Sequence, residues 1–144
     1  MKYQNLVKPD TFIGQYMEYM SNVETPYAYD FWCALWAIGV ECGRTVYVDR
    51  PSAPVFLNWY LILAAESGTT RKSTAVRAAS ALISGDREVL SGKTSPESLE
   101  LILHECTRQR GTATAHFAVP ELVTILGREG YMSTMPGLLT DLYD

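Results

Sequence analysis

The sequence predicts an α/β fold in which a small helical N-terminal piece precedes a partial parallel sheet. The first observation is that strand-like and helix-like segments alternate from residue 56 onward. This alternation is the order that parallel sheets with crossover helices produce. The second observation is that mainly helical patterns fill the residues before 50. We therefore expect a helical N-terminal region at 1–50 and a sheet core at 51–144.

The first predicted helix follows a capping residue, either Asp10 or Thr11. Its apolar residues recur at the spacing of one helical face. They are Ile13, Tyr16, Met17 and Met20. Thr25 and Pro26 interrupt the chain after this helix.

The second predicted helix runs over 27–42 and ends at Gly43, a residue typical of helix C-termini. It is apolar almost all round, which predicts that it is buried or meets a partner. One expected face consists of Phe31, Leu35, Ile38 and Cys42, and another of Trp32 and Trp36.

The middle of the chain contains two predicted strands. Residues 45–49 alternate in polarity and predict a short strand, and 50–54 form a Pro-containing connector. Residues 56–65 are apolar and long enough for a buried strand. A helix to about Ile83 follows the next loop.

The rear of the chain continues the alternation. Residues 88–90 predict a short strand. A helix then ends near Arg110, and it begins either with a Thr94–Glu97 capping box or with Ser95 as cap and Pro96 at the first helical position. The remaining predicted elements are a strand at 112–119 and helices at 122–128 and 138–143.

The stretch AESGTTRKST at 65–74 lies between the predicted strand and helix. The strict phosphate-loop pattern is G-x-x-x-x-G-K-[ST], and Glu66 and Arg71 stand at its two glycine positions. Small residues let backbone N–H groups face an anion at a helix N-terminus. We expect Lys72 to bind the outer phosphates and Ser73 to bind Mg²⁺.

The loop gives eight candidate nucleotide-binding residues. They are Ser67, Gly68, Thr69, Thr70, Arg71, Lys72, Ser73 and Thr74. The alternative interpretation is a strand-to-helix turn with a Ser/Thr-rich cap and a chance lysine.

Glu121 is the candidate catalytic residue, because it follows the predicted strand that contains AHFAV. An acidic residue at a neighbouring strand tip can orient water beside a phosphate-bound Mg²⁺. The alternative is a carboxylate that stabilises a helix N-terminus through the helix dipole.

Taken in order, most of the chain resembles the P-loop ATPases of phage and plasmid replication modules, which are of the primase-associated, RecA-like helicase type. The resembling stretches are FWCALWAIGVECGRTVYVD, LNWYLILAAESGTTRKSTAV, SGKTSPESLELIL, FAVPELVTIL and LLTDLYD. The resemblance implies a P-loop NTPase-like fold, ATP and Mg²⁺ as cofactors, a homo-oligomeric ring and action on DNA through other parts of a longer protein. By position it implies Lys72 as the phosphate lysine, Ser73 as the Mg²⁺ ligand and Glu121 as the acidic residue.

The chain departs from that family at Pro120, where many such ATPases have an aspartate that holds Mg²⁺ through water. We expect the front portion of such an ATPase, with doubtful hydrolysis by this chain alone. The alternatives are a truncated, nucleotide-free interaction domain related to such ATPases and a small-molecule kinase. An arginine-rich lid, which a kinase would use, is missing from the sequence.

Composition bears on nucleic-acid binding, on metal or disulfide sites and on membrane association. The formal net charge of −4 excludes a global attraction to nucleic acid. Three scattered cysteines without a C-x-x-C pair argue against a zinc site or a disulfide framework and favour a cytoplasmic setting. The apolar stretches are too short to span a bilayer, so we expect no membrane association.

Other polar and aromatic residues have structural interpretations. His104 and His116 lack neighbours at metal-ligand spacing. Arg108 and Arg110 stand at a helix C-terminus, where the dipole favours them, although a role with DNA or phosphate stays open. The three tryptophans fit a core better than base stacking.

Overall fold

A computed structural model describes residues 7–66, 68, 70–87, 89–126 and 134–142 of the chain. The elements in chain order are α1 (Phe12–Met20), α2 (Tyr27–Cys42), β1 (Tyr47–Val48), β2 (Val55–Phe56), α3 (Lys72–Ser80), β3 (Val89–Leu90), α4 (Pro96–Arg110), β4 (His116–Phe117), α5 (Leu122–Leu126) and α6 (Met135–Asp141).

The chain packs into two compact units. The first unit comprises Met1–Cys42 and Trp59–Ile83, and the second comprises Gly43–Asn58 and Ser84–Asp144. Helix α3 therefore shares a unit with α1 and α2, whereas the division expected from the sequence placed it with the residues after 50.

Helix α1 begins as the sequence predicts. Thr11 is the cap, because its Oγ1 accepts a hydrogen bond from the Gly14 N–H at 3.2 Å and donates one to the Lys8 carbonyl at 2.7 Å. The predicted apolar stripe is confirmed for three buried residues, with Ile13 half-buried beside them. The buried three are Tyr16, Met17 and Met20.

Helix α2 has the predicted bounds, and Phe31 of the first expected face is buried. Ala34 and Ala37 lie on the inner face, whereas Leu35, Ile38 and Cys42 are only half-buried. Small side chains let another helix approach closely, and α3 packs there with its own buried alanines, Ala75 and Ala79. The two expected faces did not include these small residues, which the packing of the two helices buries.

The predicted buried strand over 56–65 is wrong for most of its length. Strand β2 covers Val55–Phe56 alone, and residues 57–66 have neither helix nor strand assignment. Leu61 and Leu63 pack against the core of the first unit, while the intervening Ile62 is 65% exposed. Burial therefore alternates along this segment, but the described residues of the first unit include no strand that could pair with it.

The described residues of the second unit form two short sheets. Strands β1 and β2 pair antiparallel, with Tyr47 opposite Phe56. Strands β3 and β4 pair in parallel, with Val89 opposite His116 and Leu90 opposite Phe117. The parallel pair and its crossover helix α4 follow the predicted order of strand, helix, strand. The P-loop NTPase-like fold class stays a prediction, since each paired strand has only two residues.

Helix α4 resolves the choice between two predicted starts. Ser95 is the cap, because its Oγ accepts from the Ser98 N–H at 3.2 Å, and Pro96 occupies the first turn. The helix ends at Arg110 as the sequence predicts, and Gly111 follows it in the left-handed conformation, at φ 73°. Leu99 and Met135 are the buried centre of the second unit's core.

The ends of three other helices differ from the sequence prediction or lie beyond what the structure describes. Helix α3 ends at Ser80 rather than near Ile83. Helix α6 begins at Met135, before the predicted residue 138, with Pro136 in its first turn. The predicted continuation of α5 to 128 lies outside the described residues.

Asp30 is a carboxylate in the core of the first unit, with 2% of its surface exposed. The Thr25 hydroxyl donates to its Oδ2 at 2.7 Å, while its buried Oδ1 has no hydrogen-bond partner among the described residues. Burial raises the pKa of the Asp30 carboxyl, and the Thr25 hydrogen bond opposes that rise. The folded protein therefore holds the Asp30 proton more tightly than the unfolded chain does.

We expect Asp30 to make the protein less stable as the pH rises. The stabilisation from its raised pKa is fully present below the ordinary aspartate pKa, and it is lost as the pH rises through the folded pKa. Asp30→Asn removes this titration, so the free energy of unfolding of the parent should fall relative to the variant between acidic and neutral pH. Urea unfolding of both proteins at a series of pH values measures this difference in the free energy of unfolding. Parallel curves for the two proteins would show that Asp30 has no such effect.

Candidate functional site

The loop at 65–74 joins the extended segment of the first unit to helix α3. Gly68 is exposed and has a positive φ of 80°, and Arg71, directly before the helix, has φ 43° and ψ 39°. Ser67 and Thr69 lie outside the described residues. The chain thus turns through left-handed conformations at two positions before α3 begins at Lys72.

Arg71 adopts a backbone conformation that glycine usually supplies. Left-handed φ values are uncommon for residues with a Cβ, and the strict phosphate-loop pattern has glycine at this position. The Arg71 side chain forms an ion pair with Glu24, in the connector between α1 and α2. Both side chains are more than half exposed, so this pair contributes little to stability.

Lys72 turns its side chain back onto the loop. Its Nζ donates to the carbonyl oxygens of Ala65 at 2.7 Å and Glu66 at 3.2 Å. The Tyr29 hydroxyl of α2 donates to the carbonyl of the preceding Ala64 at 2.8 Å. Three successive carbonyls at the start of the loop are therefore fixed by side chains, and the lysine charge lies beside the loop backbone.

The N-terminus of α3 has hydrogen-bonding groups available for an anion. The first N–H groups of any α-helix lack intrahelical acceptors, and the capping residue Arg71 makes no side-chain hydrogen bond to them. The Thr70 hydroxyl is buried and has no hydrogen-bond partner among the described residues. Ser73 is exposed and Thr74 is half-buried. These donors and the helix dipole together favour negative charge at this end of α3.

Glu121 belongs to the second unit, where it is exposed and directly precedes α5. Its carbonyl accepts a hydrogen bond from the Thr124 N–H at 3.0 Å. Strand β4 ends at Phe117, so Glu121 follows the strand after three intervening residues, which include Pro120. The pairing of Glu121 with the loop stays a prediction.

The first unit also contains a cluster of three buried polar or ionisable side chains, which belong to Tyr16, Asp30 and Cys33. Burial, with the Asp30 charge as a smaller cause, raises the pKa of the Cys33 thiol to about 12. Burial, the Cys33 thiol and the Asp30 charge also raise the pKa of Tyr16. Nucleophilic attack by cysteine requires the thiolate, so Cys33 is a structural residue at neutral pH.

The histidines and arginines of the second unit have the structural positions that the sequence suggested. His116 is half-buried in β4, and His104 is exposed on α4. The Arg108 guanidinium donates to the Glu105 carboxylate at 2.6 and 2.9 Å, a surface pair within α4. Within the described residues, no group of three His, Cys, Asp or Glu side chains could hold a metal ion.

The tryptophans divide into two kinds. Trp36 packs against the core, as predicted. Trp32 and Trp59 are 44% and 38% exposed, with ring centroids 6.4 Å apart in an edge-to-face arrangement. The core interpretation is therefore incomplete for these two residues.

Residues outside the motif also line this part of the first unit. Tyr19 and Val23 line a groove beside α3, and Glu24 forms an ion pair with Arg71. Sequence reasoning missed all three, because their proximity to α3 arises from helix packing and leaves no pattern along the chain.

No helix among the described residues has the length and apolar character needed to cross a membrane. Comparisons with known protein families, curated proteins and solved structures gave no match to this chain.

Proposed function

We propose that this chain is the ATP- and Mg²⁺-binding front portion of a helicase-type P-loop ATPase that acts in phage or plasmid DNA replication. The observation that carries the proposal is the left-handed backbone of Arg71, one residue before Lys72. A loop with arginine in place of glycine would be expected to avoid this conformation unless the turn itself were needed. The turn supports a phosphate loop that keeps its backbone course despite the changed residue.

The phosphates of ATP would bind at the N-terminus of α3. In this proposal the Lys72 ammonium exchanges its bonds to the Ala65 and Glu66 carbonyls for bonds to phosphate oxygens. Charge-assisted bonds to phosphate are stronger than bonds to neutral carbonyls, which favours that exchange. The N–H groups in the first turn of α3 would provide further donors.

The residues at the start of α3 also fit Mg²⁺. Mg²⁺ is commonly held by substrate phosphates, waters and one or two protein oxygens rather than by a protein cage. The exposed Ser73 hydroxyl would supply the protein oxygen. Glu121 would orient the attacking water, DNA would bind through other parts of a longer protein, and we propose a homo-oligomer in the cytoplasm as the working form.

A nucleotide-free interaction domain is the second candidate. It is favoured by the ion pair between Arg71 and Glu24 and by the carbonyl bonds of Lys72, since both cations already have partners within the chain. The exposed apolar residues Trp59 and Ile62 also favour a protein partner.

Arg71→Gly and Arg71→Val together test the proposal, because both remove the guanidinium and only glycine readily keeps a positive φ. We expect Arg71→Gly to bind ATP in the presence of Mg²⁺ within about fivefold of the parent, because the Arg71 guanidinium is exposed and already paired with Glu24, and an exposed charge contact is worth about 1 kcal/mol or less. Arg71→Val should bind about tenfold or more weakly, because valine forces the loop out of its turn and weakens its phosphate contacts.

Calorimetric titration with and without Mg²⁺ measures these affinities. Equal losses in the two variants would mean that the left-handed turn does not serve phosphate binding. A parent protein that binds no ATP under either condition would leave the interaction domain as the function of this chain.

A further inference from the structure

A groove beside α3 lies within the first unit and has a volume of about 380 Å³. This volume is near the lower end of the range of about 300–1,000 Å³ that is typical of small-molecule sites. The end of α1, the connector after it and one side of α3 line the groove. The lining residues are Tyr19, Met20, Val23, Thr74, Arg77 and Ala78.

The chemistry of the groove suits a flat heteroaromatic ring that carries polar edges. Met20 is buried and offers an apolar wall, and Tyr19 is 70% exposed, so its ring is available for stacking. The Arg77 guanidinium is a second planar group that can stack on an aromatic ring. The Thr74 hydroxyl can donate to or accept from a polar edge.

The groove adjoins the phosphate loop. Val23 lines the groove, and the next residue, Glu24, forms the ion pair with Arg71. Thr74 and Arg77 follow Lys72 on the same helix, about 3 Å and 7.5 Å farther along its axis at 1.5 Å per residue. A molecule with an anionic end at the start of α3 could therefore place its other end in the groove.

We propose that this groove holds the base and ribose of the nucleotide whose phosphates bind at the loop. The inference rests on the proposed ATP binding and adds the part of the site that distinguishes a nucleotide from inorganic phosphate. Tyr19 is the stacking residue, and the Arg77 and Thr74 side chains contact the polar edges of the base or ribose.

Titration with two ligands, Mg²⁺–ATP and Mg²⁺–tripolyphosphate, separates the groove from the loop. Tyr19→Ala removes the stacking ring, and Ala78→Leu fills the groove. Each should weaken ATP binding by about tenfold, in line with the usual effect of losing one base–aromatic stack. Tripolyphosphate binding should be unchanged in both variants. Tyr60→Ala is the matched control, because Tyr60 is also an exposed tyrosine of the first unit and does not line the groove.

Each result bears on one of the two proposals. A parent protein that binds both ligands with equal affinity, or variants that bind ATP normally, would overturn the groove assignment and leave phosphate binding intact. Equal weakening of ATP and tripolyphosphate in Tyr19→Ala and Ala78→Leu would likewise overturn it, because the changes would then act on the loop. A parent that binds neither ligand would overturn the proposed ATP binding, and the groove assignment with it.

Discussion

Lys72→Ala should weaken ATP binding by about ten- to a hundredfold. The change removes a charge-assisted contact to the phosphates, which is typically worth about 1.5–3 kcal/mol, and about 1.4 kcal/mol corresponds to a factor of ten in affinity. Calorimetric titration of Mg²⁺–ATP into the parent and the variant measures the change. Tripolyphosphate binding should weaken to the same extent, because Lys72 acts on the phosphates.

The same substitution should change the stability of the folded protein only slightly. Lys72 is half-buried and its bonds to the Ala65 and Glu66 carbonyls are lost, but those carbonyls lie in exposed residues and water can replace the lysine. Alanine is also the best helix former at the start of α3. Urea unfolding followed by tryptophan fluorescence measures the change in stability of the first unit, since all three tryptophans belong to that unit.

Lys8→Ala is the matched control, because it removes the same charge from the turn before α1. It should leave ATP affinity unchanged. Equal affinities in the parent and Lys72→Ala would remove the phosphate role of Lys72. Equal losses in Lys72→Ala and Lys8→Ala would mean that net charge, rather than a contact to phosphate, governs binding.

Local physical chemistry explains the parts of the fold that the sequence predicted well. Thr11 and Ser95 cap their helices through hydrogen bonds to residues three positions along the chain, so a short stretch contains all the information. Gly111 ends α4 because its left-handed φ has little steric penalty for glycine. The bounds of α2 follow from the preceding Pro26 and the following Gly43 in the same way.

The errors concern interactions between distant residues. The apolar run that contains Leu61, Ile62 and Leu63 predicted a buried strand, but a strand also needs a hydrogen-bonded neighbour, which no local pattern supplies. The burial of Ala34 and Ala37 in α2 was missed because it comes from packing against the alanines of α3. Their small size matters only once the packing of the two helices is known.

In the candidate site, too, the features set by local sequence were predicted, and those that depend on distant residues were missed. The position of the loop before α3 and the order of Lys72 and Ser73 follow from the motif. The left-handed turn at Arg71 could not be predicted, since arginine disfavours it and Glu24 engages its side chain only after the helices pack. The groove residue Tyr19 was missed because it lies more than fifty positions before the helix it faces, and such separation hides proximity in a single sequence.

Leu99→Ala should lower the free energy of unfolding of the second unit by about 2–5 kcal/mol, the usual range for deleting a fully buried leucine side chain. Leu99 is 1% exposed, and its core includes Leu90 of β3 and Phe117 of β4. The cavity that the substitution leaves would therefore also loosen the pairing of β3 with β4. Directly after this pairing, the Ala118 N–H donates a hydrogen bond to the Leu90 carbonyl. Hydrogen exchange of that amide and urea unfolding followed by circular dichroism measure both effects.

Leu101→Ala gives the matched comparison, because it makes the same chemical change two residues along α4 at a side chain that is 71% exposed. An exposed substitution of this kind usually changes stability by about 0.5 kcal/mol or less. The difference between the two variants therefore isolates the burial of Leu99 from the helix propensity of alanine, which both share. Equal losses, or unchanged exchange at Ala118 in Leu99→Ala, would show that Leu99 does not support the β3–β4 pair, and the core of the second unit would then have to be assigned to other residues.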